Sequence, residues 1–410
     1  MRILIYGINY APELTGIGKY SGEMAEWLTA QGHEVIVITA PPYYPQWEVL
    51  NGYSSWRYHS EILSGVKVWR CPVWVPGNPS GIKRIIHLAS FAISSFPVML
   101  AHVFRPPDVV LVIEPPLFCA PTSLFTSWLS RSHSWLHIQD FEVDAAFDLG
   151  ILSSKRLKRI VLMVERWLMS KFDRVSIISE QMIKRLDSKQ VTSEKQVLFP
   201  NWVDLDHIYP VECSGVFRNE TGIQEDSIVF LYSGNMGEKQ GLEIVIEAAR
   251  ALLEHKNIVF VMCGQGAAYN TLFSMANGLT NIHWLPLQPL DKLNELLNMA
   301  DVHLLPQRAD AADLVMPSKL TGMLASGRPV LATALEGTQI AQALETTGVI
   351  VQPEDADLFV KAIVDLSENK ERRQNLGESA RQYAIDHLGK DAILSRFEAS
   401  LRECVEHNNK

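Results

Sequence analysis

Short apolar runs alternate with helix-patterned stretches along nearly the whole chain, in two separate series. This constrains the fold more than any other feature. Apolar strands that each return through a helix stack into a parallel sheet covered on both faces. The first series reads as strands at 2–7, 34–39, 66–70, 108–113, 134–139 and 174–178, with a helix over 17–30 and Gly32 as its C-cap. The stretch 41–60, rich in Pro, Tyr and Trp, reads as an irregular insert. The second series has strands at 228–233, 257–263, 281–285, 301–305, 329–332 and 349–351. A helix is expected from Pro317 to about Ser326, because proline suits a first helical turn.

A chain of 410 residues exceeds one ordinary core, so each series is read as a domain. The expected division is 1–205, 206–385, and a C-terminal helix at 386–410 packing back on the first domain. The fold class is α/β: two facing Rossmann-like, doubly wound domains with a cleft between them, which bind ligands at the carboxyl ends of their strands. A net charge of −9 argues against a broad nucleic-acid footprint, so any anion binding must be local. Five scattered cysteines without a CxxC pair fit a reducing compartment rather than a disulfide framework or a zinc site. The start, MRILIYGINY, lacks the apolar region of a signal peptide and reads as a first strand.

Three glycine-bearing turns follow strands. Gly16 and Gly18, between the first strand and the first helix, can let backbone approach a negative group, or simply make a turn. Gly264 and Gly266 mimic a dinucleotide fingerprint. The last glycine is missing and no acidic residue follows at the required distance, so a plain strand-to-helix turn is the better reading. The turn SGNMGEKQG, from Ser233 to Gly241, suits a diphosphate best. Gly234 opens the backbone, Asn235 and Gln240 offer amides, and Lys239 offers charge unless it is only a solvated lysine. A helix is expected to start near Gly241. In the second domain, Ser318 and Lys319 stand at a helix N-terminus whose first N–H groups lack partners. The donor diphosphate is therefore expected between these two segments.

In the first domain, LHIQDFEVD ends a strand with carboxylates. Asp140, and after it Glu142, are the candidates near a reacting centre, where a carboxylate can orient a hydroxyl or stabilise positive charge. Asp140 could instead cap a helix or pair with Arg131, His137 could be a core histidine, and Glu114 could be a surface carboxylate. The apolar stretch 82–104 is about as long as the roughly 20 residues of a membrane span. Serines and Pro97 interrupt it, so a buried crossover helix is the first reading, docking on a membrane the second, and spanning the third. The segment 156–174 reads as a basic helix, whose charges most commonly mean a solvated face and otherwise suit anionic head groups.

These motifs resemble the GT-B retaining glycosyltransferases of family 4: the glycine loop at 16–18, GHEVIVIT, FPNWVD, SGNMGEKQG and PSKLTGMLASGRPV span both domains. PPYYPQW and LHIQDFEVDAAFDLG look more narrowly like the fucosyltransferase-like enzymes of colanic-acid and related exopolysaccharide assembly. The resemblance implies transfer with retention from a nucleotide-diphospho-sugar, GDP-linked by preference and UDP-linked otherwise, with no cofactor and no metal at the site. It implies a polyprenyl-diphosphate-linked saccharide as acceptor and a cytoplasmic enzyme peripheral on the inner face of the plasma membrane. The sequence departs from the family at its Glu-x7-Glu pair, where Leu314 and Gly322 stand. Asp313 is the nearest substitute for holding donor hydroxyls. The family's His-Asp pair appears as Gln139-Asp140, with His137 two places earlier. The competing readings are a sugar-nucleotide epimerase of the same fold and a non-catalytic, membrane-associated nucleotide-sugar-binding protein.

Overall fold

The structure, a computed structural model, describes residues 1–13, 16–77, 81–141, 143, 155–211, 215–309 and 317–407. Contacts divide the chain into one unit of residues 1–200 with 394–410 and a second of residues 201–393. The boundary falls a few residues from the expected one, and most of the C-terminal helix belongs to the first unit.

The first unit holds β1 (Arg2–Tyr6), α1 (Gly16–Ala30), β2 (Glu34–Thr39), β3 (His59–Leu63), β4 (Val66–Arg70), α2 (Gly81–Ala101), β5 (Val109–Glu114), α3 (Ala120–Ser130), β6 (His133–Ile138), α4 (Lys155–Lys171), β7 (Arg174–Ile177), α5 (Glu180–Ser188) and β8 (Gln196–Leu198). The sheet order is β3-β4-β2-β1-β5-β6-β7-β8. Every pairing is parallel except β3 with β4. Strands β1 and β5 are apolar and buried along almost their whole length, and β6 is buried from Ser134 onward, as a sheet covered on both faces requires. Two edge strands are absent from the sequence reading. β3 alternates exposed and half-buried residues and starts at the end of the expected irregular insert; β8 is three residues long. Neither carries the apolar run of a central strand.

The expectation of a buried crossover helix at 82–104 fails. Only 28% of the most apolar 18-residue window within Gly81–Phe104 is buried, and among the described residues this is the helix long and apolar enough, by length and composition, to cross a membrane. The reason lies in which residues face inward. His87 and Ser95 are fully buried beside Phe91 and Met99, while Ile82, Ile86 and Ile93 are exposed. The basic helix forms as α4 but ends at Lys171, and Arg174 begins β7.

The second unit holds α6 (Gly215–Thr221), β9 (Ile228–Ser233), α7 (Glu243–Ala251), β10 (Ile258–Cys263), α8 (Tyr269–Met275), β11 (Ile282–Leu285), α9 (Leu293–Asn298), β12 (Val302–Leu305), α10 (Ser318–Ala325), β13 (Val330–Thr333), α11 (Gln339–Leu344), β14 (Gly348–Val351), α12 (Ala356–Glu368) and α13 (Lys370–Tyr383). Its all-parallel sheet runs β11-β10-β9-β12-β13-β14. Strand order reverses between β9 and β12, which puts the turns after both at the switch point where such sheets bind ligands. The final helix α14 (Lys390–His407) inserts Phe397 between Trp135, at 5.3 Å edge-on, and Phe199, stacked at 3.8 Å. His33 and Glu398 pair at 2.8 Å. The described cysteines Cys71, Cys119, Cys263 and Cys404 are buried, and none of these four forms a disulfide.

Candidate functional site

In the second unit three turns converge at the carboxyl edge of the sheet. Gly234, at φ +136°, begins the turn after β9. A Cβ on Gly234 would lie 3.6 Å from Lys319 Cδ and 3.9 Å from its Nζ. The structure therefore brings together the two segments expected to hold a diphosphate. Lys319 Nζ donates to the Tyr232 hydroxyl at 3.1 Å and lies 4.3 Å from that ring's centroid. The same hydroxyl donates to the Asn235 carbonyl at 2.5 Å. Burial raises the Tyr232 phenol well above its ordinary range, so it stays neutral beside the ammonium.

Lys319 owes its position to α10. Leu320, Met323 and Leu324 are fully buried along that helix, and Pro317 caps its start with no side-chain hydrogen bond. A helix start without a side-chain cap suits an anion, with the helix dipole adding partial positive charge. Ser318 is exposed at the first turn. At the other end the Ser326 hydroxyl donates to the Met323 carbonyl and His303 Nε2 lies 2.9 Å from its oxygen, which fastens the helix to β12. Burial pushes the His303 imidazole down to about 3, with Arg328 acting in the same sense, so this anchor is neutral.

The glycines after β10 let one loop pack closely on the next. A Cβ on Gly264 would sit 1.9 Å from the Gly234 carbonyl oxygen, and one on Gly266 would sit 2.4 Å from that of Met236. The two turns are stitched by Met236 N–H to Gln265 O at 2.8 Å and Ala268 N–H to Met236 O at 2.9 Å. This is close backbone packing of one loop on its neighbour.

The turn itself differs from the expected helix start. A short 3-10 turn covers Glu238–Gln240, Gly241 is left-handed, and the helix begins at Glu243. Gln240 Oε1 accepts from Gly237 N–H at 3.0 Å, which occupies that oxygen within the turn. Lys239 lies in the 3-10 turn; its side chain is outside the described set. Arg308, not singled out from the sequence, donates to the Glu238 carbonyl at 2.7 Å and to Glu243 at 2.8 Å. Its signal was its place just past the carboxyl end of β12. The Thr333 hydroxyl fixes the adjoining Gln307 by donating to its carbonyl and accepting from its N–H, each at 2.7 Å. Gly322 lies within α10 and brings no carboxylate, while Asp313 and Leu314 lie outside the described residues.

In the first unit the rim above β1 and β2 is organised by a buried carboxylate. Glu13 accepts from the N–H groups of Tyr43 and Tyr44, each at 3.0 Å, and from Asn9 Nδ2 at 2.9 Å. Burial raises its pKa against these hydrogen bonds. Gly18 is needed because a Cβ there would stand 2.7 Å from Glu13, whereas Gly16 starts α1 at φ +59° near the Tyr44 ring. Buried Arg70 ties the same rim together through the carbonyls of Ala11, at 2.6 Å, and Ala40, at 3.2 Å. Neither Glu13 nor Arg70 stood out in the sequence, since each is a lone charge among apolar and aromatic neighbours.

Asp140 is exposed just beyond β6, and Glu142 lies outside the described residues. His137 belongs to the core: its Nδ1 lies 2.9 Å from Ser176 Oγ and its Nε2 2.9 Å from Gln139 Nε2. Burial holds it down at about 3. Glu114 is fully buried at the end of β5, which corrects the surface alternative.

Comparison with known proteins agrees with both halves. Residues 15–202 match the family described as Glycosyl transferase 4-like domain, and residues 215–383 match Glycosyl transferases group 1. A glycosyl transferase assigned to colanic acid biosynthesis in Escherichia coli K12, WcaI, is 44% identical over 98% of this chain and 100% of its own length. An E. coli UDP-Gal:alpha-D-GlcNAc-diphosphoundecaprenol alpha-1,3-galactosyltransferase is 24% identical over 42% of this chain and 45% of that one. Among solved structures, sucrose-phosphate synthase from Thermosynechococcus elongatus has a TM-score of 0.74 at 18% identity, covering 98% of both chains. Anabaena HepE, solved with UDP and glucose, has a TM-score of 0.70 at 13% identity, covering 98% of this chain and 100% of that one. The chain belongs to the group 1, family-4-like glycosyltransferases of the GT-B fold.

Proposed function

We propose that this glycosyltransferase moves a hexose, with retention, from a nucleotide-diphospho-sugar to a lipid-linked saccharide during exopolysaccharide assembly of the colanic-acid type. It works peripherally at the cytoplasmic face of the membrane. A GDP-sugar, with fucose as the narrower expectation, is the preferred donor, and a UDP-sugar the other. The pathway follows the 44% identical relative; the lipid-diphosphate acceptor follows the galactosyltransferase that matches 42% of this chain. The observation that carries the reading is Lys319 lying against the Gly234 turn at a helix start without a side-chain cap.

The chemistry asks the protein for charge and placement. As the anomeric C–O bond breaks, its electron pair leaves on the diphosphate oxygen and positive charge grows on the sugar. Lys319 and the first N–H groups of α10 stabilise the departing diphosphate. Asp140 orients the acceptor hydroxyl, whose oxygen attacks the same face of the anomeric carbon while its proton passes to the departing diphosphate oxygen. The test is a transfer assay pairing nucleotide sugars with membrane extracts, read by the mass of the lipid-linked product. A product heavier by one sugar supports the reading. Isomerised donor without acceptor points to the epimerase, and donor binding without turnover on any acceptor points to the binding protein; either refutes it.

A further inference from the structure

Three neighbouring helices of the first unit bury polar residues while large apolar ones stand exposed. On α3 the buried residues are Thr122, Ser123, Thr126, Ser127 and Ser130, while Phe125, Trp128 and Leu129 are exposed. On α2 the buried His87 Nδ1 and Ser95 hydroxyl lie 2.7 and 2.6 Å from the Trp74 carbonyl and the Tyr6 hydroxyl, while Ile82, Ile93 and Phe96 are exposed. On α4 Glu165 is fully buried with Lys189 Nζ 2.5 Å away. Ile160, Met163, Val164 and Trp167, one helical stripe, are between 45% and 62% exposed.

These faces form one surface. The crossovers β4 to β5, β5 to β6 and β6 to β7 run in the same direction along the sheet, so right-handed connections place all three helices on one side. α3 touches both α2 and α4. Phe96 stacks with Phe125 at 6.3 Å and Phe125 with Trp128 at 6.1 Å, a continuous aromatic row. Helices in water put their apolar stripe inward, and a contiguous apolar face of this kind marks an interaction site.

Charge identifies the partner. Exposed Arg156, Arg159 and Arg166 flank the α4 stripe, and exposed Lys83 and Arg84 open α2, on a chain whose net charge is −9. A second copy docked by two-fold symmetry would bring these cations against themselves. An apolar stripe bordered by cations instead matches the interface of an anionic bilayer, with aromatics at the acyl boundary and cations among the head groups. We propose that the α2–α3–α4 face is a membrane-docking surface for anionic lipid, with the Phe96–Phe125–Trp128 row and the Trp167 stripe inserted in the plane of the interface. The proposal deepens the reading that the acceptor is carried by a lipid.

The test is flotation of the full chain with phosphatidylglycerol-containing vesicles and with neutral phosphatidylcholine vesicles, without donor or acceptor. The chain should float with the anionic vesicles, less so as salt rises. Trp128→Glu with Trp167→Glu should lower the bound fraction roughly tenfold or more, and R156E, R159E and R166E together should remove the anionic preference. All five positions are exposed, so melting temperature should stay unchanged; Trp128→Ser with Trp167→Ser serves if the glutamate variant fails to fold. Equal flotation on both vesicles, no flotation, or variants that float like the parent would overturn the proposal. So would a concentration-dependent dimer dissolved by the same substitutions. Transfer to detergent-dispersed acceptor is read separately: transfer without docking overturns this surface alone, and docking without transfer overturns only the proposed function.

Discussion

Replacing Lys319 by methionine isolates its charge from its packing. Methionine keeps an unbranched stem against the Gly234 turn and the Tyr232 ring, and loses only the ammonium. Within the protein the loss is small. A half-exposed cation over a ring contributes about 0.5–1 kcal/mol. The Tyr232 hydroxyl still donates to Asn235 O at 2.5 Å, so no buried donor is orphaned. Toward a bound diphosphate the loss is larger, because a charge-assisted hydrogen bond contributes about 1.5–3 kcal/mol. That corresponds to GDP or UDP binding weakened by roughly 10- to 150-fold. Titration calorimetry on the full chain reads the affinity, and thermal unfolding reads the fold. An unchanged dissociation constant for both nucleotides would show that the diphosphate does not sit at Lys319. A large fall in melting temperature would show that the charge is structural.

Gly264→Ala forces a Cβ to 1.9 Å from the Gly234 carbonyl at φ +141°; it should destabilise the second unit by more than about 2 kcal/mol in urea unfolding and abolish nucleotide binding with it. Asp140→Asn keeps shape and should lower turnover by roughly 10²-fold or more with melting temperature and nucleotide affinity intact; near-normal turnover removes Asp140 from the reaction. His137 and His303 are both held at about 3 by burial, against an ordinary 6.5. The unfolded chain therefore binds more protons than the folded one between those values, so stability is fully present above 6.5 and is lost as pH falls toward 3, by about 1.4 kcal/mol per pH unit for each histidine. Urea midpoints measured down that window read the effect, and a flat profile refutes it.

The fold was legible because buried parallel strands write themselves as apolar runs. β2, β4, β9 and β12 fall within a residue of their expected bounds. The edge strands β3 and β8 were not legible, since an edge needs no such run. The geometry of the candidate site was legible in part. Gly234 and Lys319 do meet, but Arg308 and Tyr232, which shape the turn, gave no pattern of their own. Glycine spacing misleads for a physical reason. Approach of a phosphate and approach of another backbone impose the same steric demand, and Gly264 and Gly266 meet the second. Amphipathicity misled at α2 in a similar way. The hydropathy of a stretch does not say which side is covered; that follows only when His87 and Ser95 are seen facing the sheet.

On the proposed reading, a chain with nine excess negative charges must engage two anionic partners, a nucleotide diphosphate and a bilayer surface. Long-range steering by net charge would oppose both, but salt screens such fields beyond about 8–10 Å. Local arrangement then decides, and the two units solve the problem with different physics. The donor turn uses fixed dipoles and one half-buried lysine held by a neutral tyrosine, so its charge is preorganised and weakly screened. The α4 face uses exposed arginines, whose attraction is individually small and strongly salt-dependent. Docking held by such contacts is reversible, and the apolar stripe supplies the remaining affinity. Placing the weak, reversible contacts on the helices and the preorganised charge at the strand ends lets the enzyme leave the membrane without loosening the site that holds its donor.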